Sequence, residues 1–423
     1  MSNIVVKNLL AILDDNPIAI WGARMTGIGF FRFAKKHNLN AVAFIDSDQS
    51  LGGASIYGLP VSLPKTLASL KQKHENLKVV VAVSIKEDEI IDMLNKTGMS
   101  SNDCIIYKKF CKHFFTIDIV GACNLKCPSC ARSMREINNP KGLMPLEDFK
   151  KITEKCIKEV GLVSHISLYN WGEPLLHPEL DSFIDYAHQK GIATAVSTNL
   201  SIAKDNQLEK LVKSSPDYLK ISLSGYYPDT YNQTHTGGDV NLVKSNLYRL
   251  KYYIEKHNAS FLVDVNYHLY KNNIDQDLTK MGNLCKELGF IFSNCYANFT
   301  PVERIIQYCQ GKLDKRTQEF FDLLLIDLDK GLQITKPFHH LPCRFFLNQV
   351  NINWDRSVAL CCVSYDRKTS IVCDDFLKEP LADIEKNKEN RDICKTCSGY
   401  GIHQYLLGVN QKEWKKEAEK HIK

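Results

Sequence analysis

Residues 121–130 (GACNLKCPSC) place three thiols, Cys123, Cys127 and Cys130, on one short stretch directly after an apolar run, 115–120 (FTIDIV), that reads as a strand. Thiolates suit soft metal centres, and three so close together grip one only where the loop wraps round it. Iron–sulfur clusters are held by protein thiolates, usually four, and this tight group stops at three. No fourth Cys or His follows at the short spacing a zinc site wants. One iron of such a cluster is therefore left open to a ligand the protein does not supply.

With its Cys-x3-Cys-x2-Cys spacing behind a first strand, the stretch resembles the radical S-adenosylmethionine (SAM) enzymes. That resemblance implies a 4Fe–4S cluster on the three cysteines, with its fourth iron chelated by the amino and carboxylate groups of SAM. It also implies that the reduced cluster splits the cofactor to a 5′-deoxyadenosyl radical. A zinc knuckle or a redox-active cysteine pair is the competing reading, and further stretches weigh against it. Tyr169-Asn-Trp-Gly172-Glu173-Pro174 looks like the family's Gly-Gly-Glu-Pro stretch, with Trp171 in place of its first glycine. The resemblance gives Gly172, Glu173 and Pro174 the cofactor's methionyl ammonium. Ser197 and Asn199 in one run, and Ser222 and Ser224 in the next, stand at family positions that meet the cofactor's ribose and carboxylate. Ser129 replaces an aromatic residue common before the third cysteine, which leaves adenine contacts there to the backbone.

The elements needed to position these residues are visible over 109–298. Strand-like runs occur at 115–120, 165–170, 193–198, 218–224, 261–268 and near 290–293, with helix-like stretches such as 146–159 and 242–255 between them. Steady strand–helix alternation predicts a parallel sheet with right-handed crossovers. Six such units resemble the partial (β/α)6 barrel of the radical SAM fold, and the motifs fall at the C-terminal strand ends where barrels gather their chemistry.

Residues 1–108 read as a separate Rossmann-like α/β unit. A buried-strand pattern at 17–21 runs into Gly22-Ala-Arg-Met-Thr-Gly27, a helix to about His37, and a second strand ending in Asp46-Ser-Asp48. This is the dinucleotide-binding order, with Arg24 where the fingerprint has its second glycine. The unit also resembles Rossmann-like domains attached to sugar-modifying methyltransferases and nucleotide-sugar acetyltransferases. Binding of a nucleotide or sugar nucleotide is one expectation, and a domain that only docks a partner or shields the active site is the other.

A helical connector is expected at 299–340, where apolar residues recur at three and four. Cysteines return over 341–402. Residues 350–360 alternate around Asp355-Arg356, which predicts a hairpin that brings Cys343 toward Cys361. Side chains alternate along a strand, so Cys361 and Cys362 cannot both point inward, and Cys361 is narrowly preferred. With Cys394 and Cys397 this makes four ligands for a second centre. The region resembles the shortened auxiliary-cluster module called twitch or SPASM-like, which implies one further 4Fe–4S cluster; a four-cysteine zinc site is the alternative. The tail, 403–423, has a charged, Lys-rich helix pattern from Asn410 onward that predicts a solvated helix.

The chain of 423 residues carries a mild net charge of +6 and no long basic run interleaved with aromatics, so nucleic acid is not an expected partner. Fifteen cysteines in so large a chain, and an opening without a basic stretch ahead of its apolar one, predict a reducing cytoplasm. No apolar run reaches the ~20 residues of a membrane span, so no membrane is expected. The combined reading is a radical SAM oxidoreductase acting on a small polar substrate, favoured as a sugar or nucleotide sugar to be oxidised or epimerised. Its electron donor is of flavodoxin or ferredoxin type. Alternatives are a peptide- or protein-modifying maturase, a non-catalytic iron–sulfur sensor, and a barrel partnered with a nicotinamide dehydrogenase unit. Tyr169, Asn170 and His268 are catalytic candidates on position alone.

Overall fold

The computed structural model describes residues 2–83, 87–96, 99–134, 136–202 and 205–421. Short Val/Ile-rich runs near the N-terminus make β1 (Ile18–Trp21), β2 (Ala41–Ile45), β3 (Ser55–Ile56), β4 (Leu59–Ser62), β5 (Lys78–Val81) and β6 (Cys104–Ile106), in the sheet order β3-β4-β2-β1-β5-β6. All pairs are parallel except the β3–β4 hairpin. Strands buried on both faces need cover on both sides. One face packs on Ile28, Phe30 and Ala34 of the helix Met25–Lys36, and the other on Leu67, Ile90 and Leu94.

The second sheet holds nine strands. Its parallel part runs β7 (Phe114–Asp118), β8 (His165–Ser167), β9 (Ala193–Thr198), β10 (Tyr218–Leu223), β11 (Leu262–Leu269) and β12 (Ile291–Tyr296), each paired with the next. This is the strand array of a partial (β/α)6 barrel. Crossover helices bury one stripe each. The helix Leu146–Val160 carries Glu147 and Asp148 in its first turn, buries Phe149, Ile152 and Cys156, and stops at Gly161, whose φ of +79° suits glycine. The helix Val240–His257 starts where the Asp239 carboxylate accepts from the Asn241 and Leu242 N–H groups.

Beyond β7 the sheet continues into β13 (Gln349–Asn353), β14 (Val358–Ala359) and β15 (Ile371–Cys373). β13 joins β7 in parallel and β14 and β15 follow antiparallel, so the C-terminal hairpin prolongs the barrel sheet at its first strand. Trp354, in the turn between β13 and β14, packs over Gly121 and Gly142. A Cβ on either glycine would lie about 2 Å from the indole, at 2.2 and 2.1 Å.

The two sheets meet at the N-terminal ends of the barrel strands. Gly29 approaches Ser164, ahead of β8, so closely that a Cβ would stand 2.2 Å from its Oγ. Just before β10, the buried Asp217 carboxylate binds Arg32, Tyr57 OH (2.5 Å) and His188 Nε2 (2.9 Å). The helix Met25–Lys36 thereby caps the barrel at the end opposite the cysteine loop.

Candidate functional site

The cysteine loop leaves the top of β7 and is fixed from several directions. Glu173 N–H donates to Ala122 O (2.9 Å), Lys126 N–H to Thr236 O (2.9 Å), and Thr300 N–H to Ser129 O (2.9 Å). Behind it the buried Arg304 donates to Pro128 O (2.7 Å) and Ser133 Oγ (3.2 Å). Within it, Cys130 N–H reaches Cys127 O (3.0 Å) and Leu125 N–H reaches Cys123 Sγ (3.4 Å).

The turn after β8 is organised by Asp118, at the end of β7. Its buried carboxylate accepts from the N–H groups of Asn170 (3.3 Å), Trp171 (2.9 Å) and Gly172 (3.2 Å). Gly172 is obligatory here, because a Cβ would lie 1.7 Å from Val120 O. Glu173 is 2% exposed and already serves three donors: Thr198 Oγ1 (2.7 Å), Leu175 N (3.0 Å) and Asn199 N (2.8 Å). Burial pushes its carboxyl up to about 7. Asn199 in turn donates to Asn124 Oδ1 (2.9 Å) and approaches Cys123 Sγ (3.8 Å).

These strand ends enclose a cavity of about 800 Å³ lined by Cys123, Cys127, Cys130, Gly172, Glu173, Ser197, Asn199 and Ser222, together with Tyr169, Asn170 and His268. Pro174 and Ser224 stand behind this wall. Pro174 opens the short turn Pro174–Leu176, and Ser224 is buried with its Oγ 2.7 Å from His235 Nδ1, holding that imidazole against the cavity. Burial keeps His235 and His268 low, at about 4 and about 3, so both rings are neutral near pH 7.

A second cavity, of about 220 Å³, is lined by Cys343, Cys361, Cys394 and Cys397 with Phe345, Phe346, Leu360 and Ile393. Cys362 does not line it, and Cys373 is buried elsewhere, on β15. Leu406 belongs to the walls of both cavities. Burial pushes the thiols of Cys123, Cys343 and Cys394 up to about 11. Soft donors that line a shared volume, and ionise only against a positive centre, fit an iron–sulfur group in each cavity.

The tail departs from the expected solvated helix. The helix Gln411–Ala418 buries Trp414 and Ala418, stacks Trp414 on Tyr296 at 5.8 Å, and presents Gln411, Trp414 and Lys415 to the first cavity. Its lysines gave a solvated pattern, and the single tryptophan was the signal for packing. Asp118 and His235 were likewise missed, because their roles depend on neighbouring strands.

At the N-terminal glycine turn, Gly22 takes φ +119° and Gly27 packs on it. Asp46 accepts from Ala23 N–H (2.8 Å), while Arg24 binds Asp48 (2.6 Å) and Asp264 of β11 (2.8 Å). The groups expected to meet a nucleotide are thus engaged within the chain. Among the described residues, no helix is long and apolar enough to cross a membrane.

Residues 117–278 match the family model described as Radical SAM superfamily. A probable GTP 3′,8-cyclase of Methanococcus vannielii is 32% identical over 193 residues, 45% of this chain and 59% of that protein. A probable GTP 3′,8-cyclase of Methanococcus maripaludis is 28% identical over 196 residues, 46% of this chain and 61% of that one. The chain therefore spans about three fifths of the length of these curated relatives. Among solved structures, Streptococcus suis SuiB bound to precursor peptide SuiA aligns with 85% of this chain and 77% of its own, at 16% identity and a TM-score of 0.46.

Proposed function

We propose, proceeding from the radical SAM domain that residues 117–278 form, that this chain is an enzyme that cleaves SAM reductively and abstracts hydrogen from a small polar substrate. A sugar or nucleotide sugar, oxidised or epimerised, is the substrate class favoured. The observation that carries this reading is the common cavity onto which Cys123, Cys127 and Cys130 open beside Gly172, Glu173, Ser197, Asn199 and Ser222. When bound, the 4Fe–4S cluster and SAM supply one-electron cleavage of a sulfonium and hydrogen-atom abstraction.

The chain's own residues hold and orient. The turn wrapped on Asp118 and Glu173 offers backbone groups to the cofactor, and the Ser197 and Ser222 hydroxyls, 3.5 Å apart, offer contacts to its polar parts. Tyr169, Asn170 and His268 face the remaining space, where a substrate is to be gripped. The helix Gln411–Ala418 narrows the mouth and helps to keep water out. Cys343, Cys361, Cys394 and Cys397 would hold an auxiliary 4Fe–4S cluster, an electron acceptor beside the barrel. A flavodoxin- or ferredoxin-type protein is the proposed donor. The test is anaerobic incubation of the reduced protein with deuterated candidate sugar nucleotides. Deuterium in 5′-deoxyadenosine is expected; formation of no 5′-deoxyadenosine under any condition would sink the proposal.

A further inference from the structure

We infer that Arg304 is the counter-charge of the cysteine-loop cluster, a positioning residue that sets how readily that cluster takes up its electron; this rests on the chemistry proposed for the same loop. Arg304 is 5% exposed. Its Nη1 donates to Pro128 O (2.7 Å), one residue from Cys127. Its Nη2 donates to Ser133 Oγ (3.2 Å), a hydroxyl that itself donates to Cys130 O (2.8 Å). The guanidinium is thereby fixed against the segment that carries Cys127 and Cys130.

Nothing local calls for a cation there. Arg304 stands in the first turn of the helix Val302–Cys309, whose dipole opposes a positive side chain at that end. Among the described residues no carboxylate forms an ion pair with it. The adjacent acid, Glu303, is engaged elsewhere, its Oε1 accepting from the N–H groups of Tyr365 (2.9 Å) and Asp366 (3.1 Å). Both oxygens that Arg304 meets are neutral, and a neutral amide could brace them without the cost of a buried charge.

A buried cation kept without an acid is explained by negative charge that comes with the cluster. A 4Fe–4S core on three thiolates becomes more negative by one charge on reduction, and charge and hydrogen bonding around such a core set its potential. The electron comes from the flavodoxin- or ferredoxin-type donor. Arg304 neither gives nor takes it, and lowers the energy of the reduced state. Arg132, the loop's other arginine, is half-buried, donates to Trp171 O (3.0 Å) and lies against the Tyr365 ring, so solvent screens its charge more.

The test is a redox titration of the anaerobically reconstituted full chain with dithionite, followed by electron paramagnetic resonance on the signal whose g-values respond to SAM. Arg304→Met and Arg304→Gln should each shift the equilibrium against reduction by about tenfold or more, equal to about 59 mV for a one-electron couple. Arg304→Lys keeps the charge and should stay within about threefold of the parent. The glutamine separates charge from bracing, because its amide can still donate to Pro128 O. A parent-like potential in Arg304→Gln, or in Arg304→Met with its iron retained, would overturn the inference. So would a shift in Arg304→Lys as large as that in Arg304→Met. Loss of iron from the Met and Gln variants but not from Lys supports it, since charge separates them; loss from all three would mark a brace and overturn it. The predicted shifts without 5′-deoxyadenosine from the parent would sink the proposed reaction alone. Zinc on the three cysteines, or no signal that responds to SAM, would overturn both.

Discussion

Three thiols open on a cavity of about 800 Å³ walled by strand-end hydroxyls, amides and imidazoles, while on the far side of Leu406 four thiols face about 220 Å³ walled by Phe345, Phe346, Leu360 and Ile393. Both sets are buried enough to resist ionisation without a positive centre. They differ in what else is offered. The larger space has polar groups left over for further ligands, and the smaller one is walled mainly by sulfur and hydrocarbon, with Ser364, Ser398 and His403 among its lining. A three-thiol site with spare polar groups suits a cluster that binds a second molecule, and a mainly apolar four-thiol site suits one that is closed.

The comparison breaks first at the cysteines. Replacing Cys123, Cys127 and Cys130 by alanine is expected to abolish 5′-deoxyadenosine formation, a loss on the order of a thousandfold or more. Replacing Cys343, Cys361, Cys394 and Cys397 should lower cofactor cleavage in the absence of substrate by no more than about tenfold while removing one cluster's absorbance and iron. Equal loss in both variants, measured by chromatography of 5′-deoxyadenosine, would erase the distinction. Gly172→Ala comes next. Its Cβ has no room against Val120 O, so the turn must shift, with about 1–3 kcal/mol of stability lost and SAM affinity down by tenfold or more. Retained affinity in a titration would show that the turn does not hold the cofactor.

Trp414→Ala tests the lid over the larger cavity. Loss of a buried indole costs roughly 3–5 kcal/mol, read by thermal unfolding, and substrate KM should rise more than kcat falls. A smaller effect distinguishes Glu173. Its folded-state carboxyl lies near 7 against 4.5 for the free group, so the folded state holds a proton that the unfolded state has released. Protonated Glu173 thus favours the fold at low pH, and that contribution, about 3 kcal/mol in the cofactor-free protein, is lost as pH rises from about 4.5 through 7. The difference in stability between the parent and Glu173→Gln should change over that window, and a flat difference would contradict the burial argument. The smallest effect sharpens the second cavity. Cys361→Ala should remove its cluster and Cys362→Ala should not, as read by iron content.

The parts of this site that are continuous in sequence were legible there. The cysteine loop, Gly172-Glu173 and the polar strand ends each occupy a few neighbouring residues, and strand–helix alternation gave six parallel strands in the order found. What depends on distant partners was not. Asp118 is one polar residue in an apolar strand until three N–H groups 52 to 54 positions away converge on it. Arg24 read as a departure from a nucleotide fingerprint because Asp264, its partner, lies 240 residues on. The tail read as solvated because its lysines outnumber Trp414, whose contact with Tyr296 is long-range.

The most direct measurement uses the variant lacking Cys343, Cys361, Cys394 and Cys397, reduced under anaerobic conditions and followed by electron paramagnetic resonance as SAM is added. A single 4Fe–4S signal whose g-values shift on SAM binding is the result this account requires. A signal indifferent to SAM, or zinc in place of iron on Cys123, Cys127 and Cys130, would contradict it.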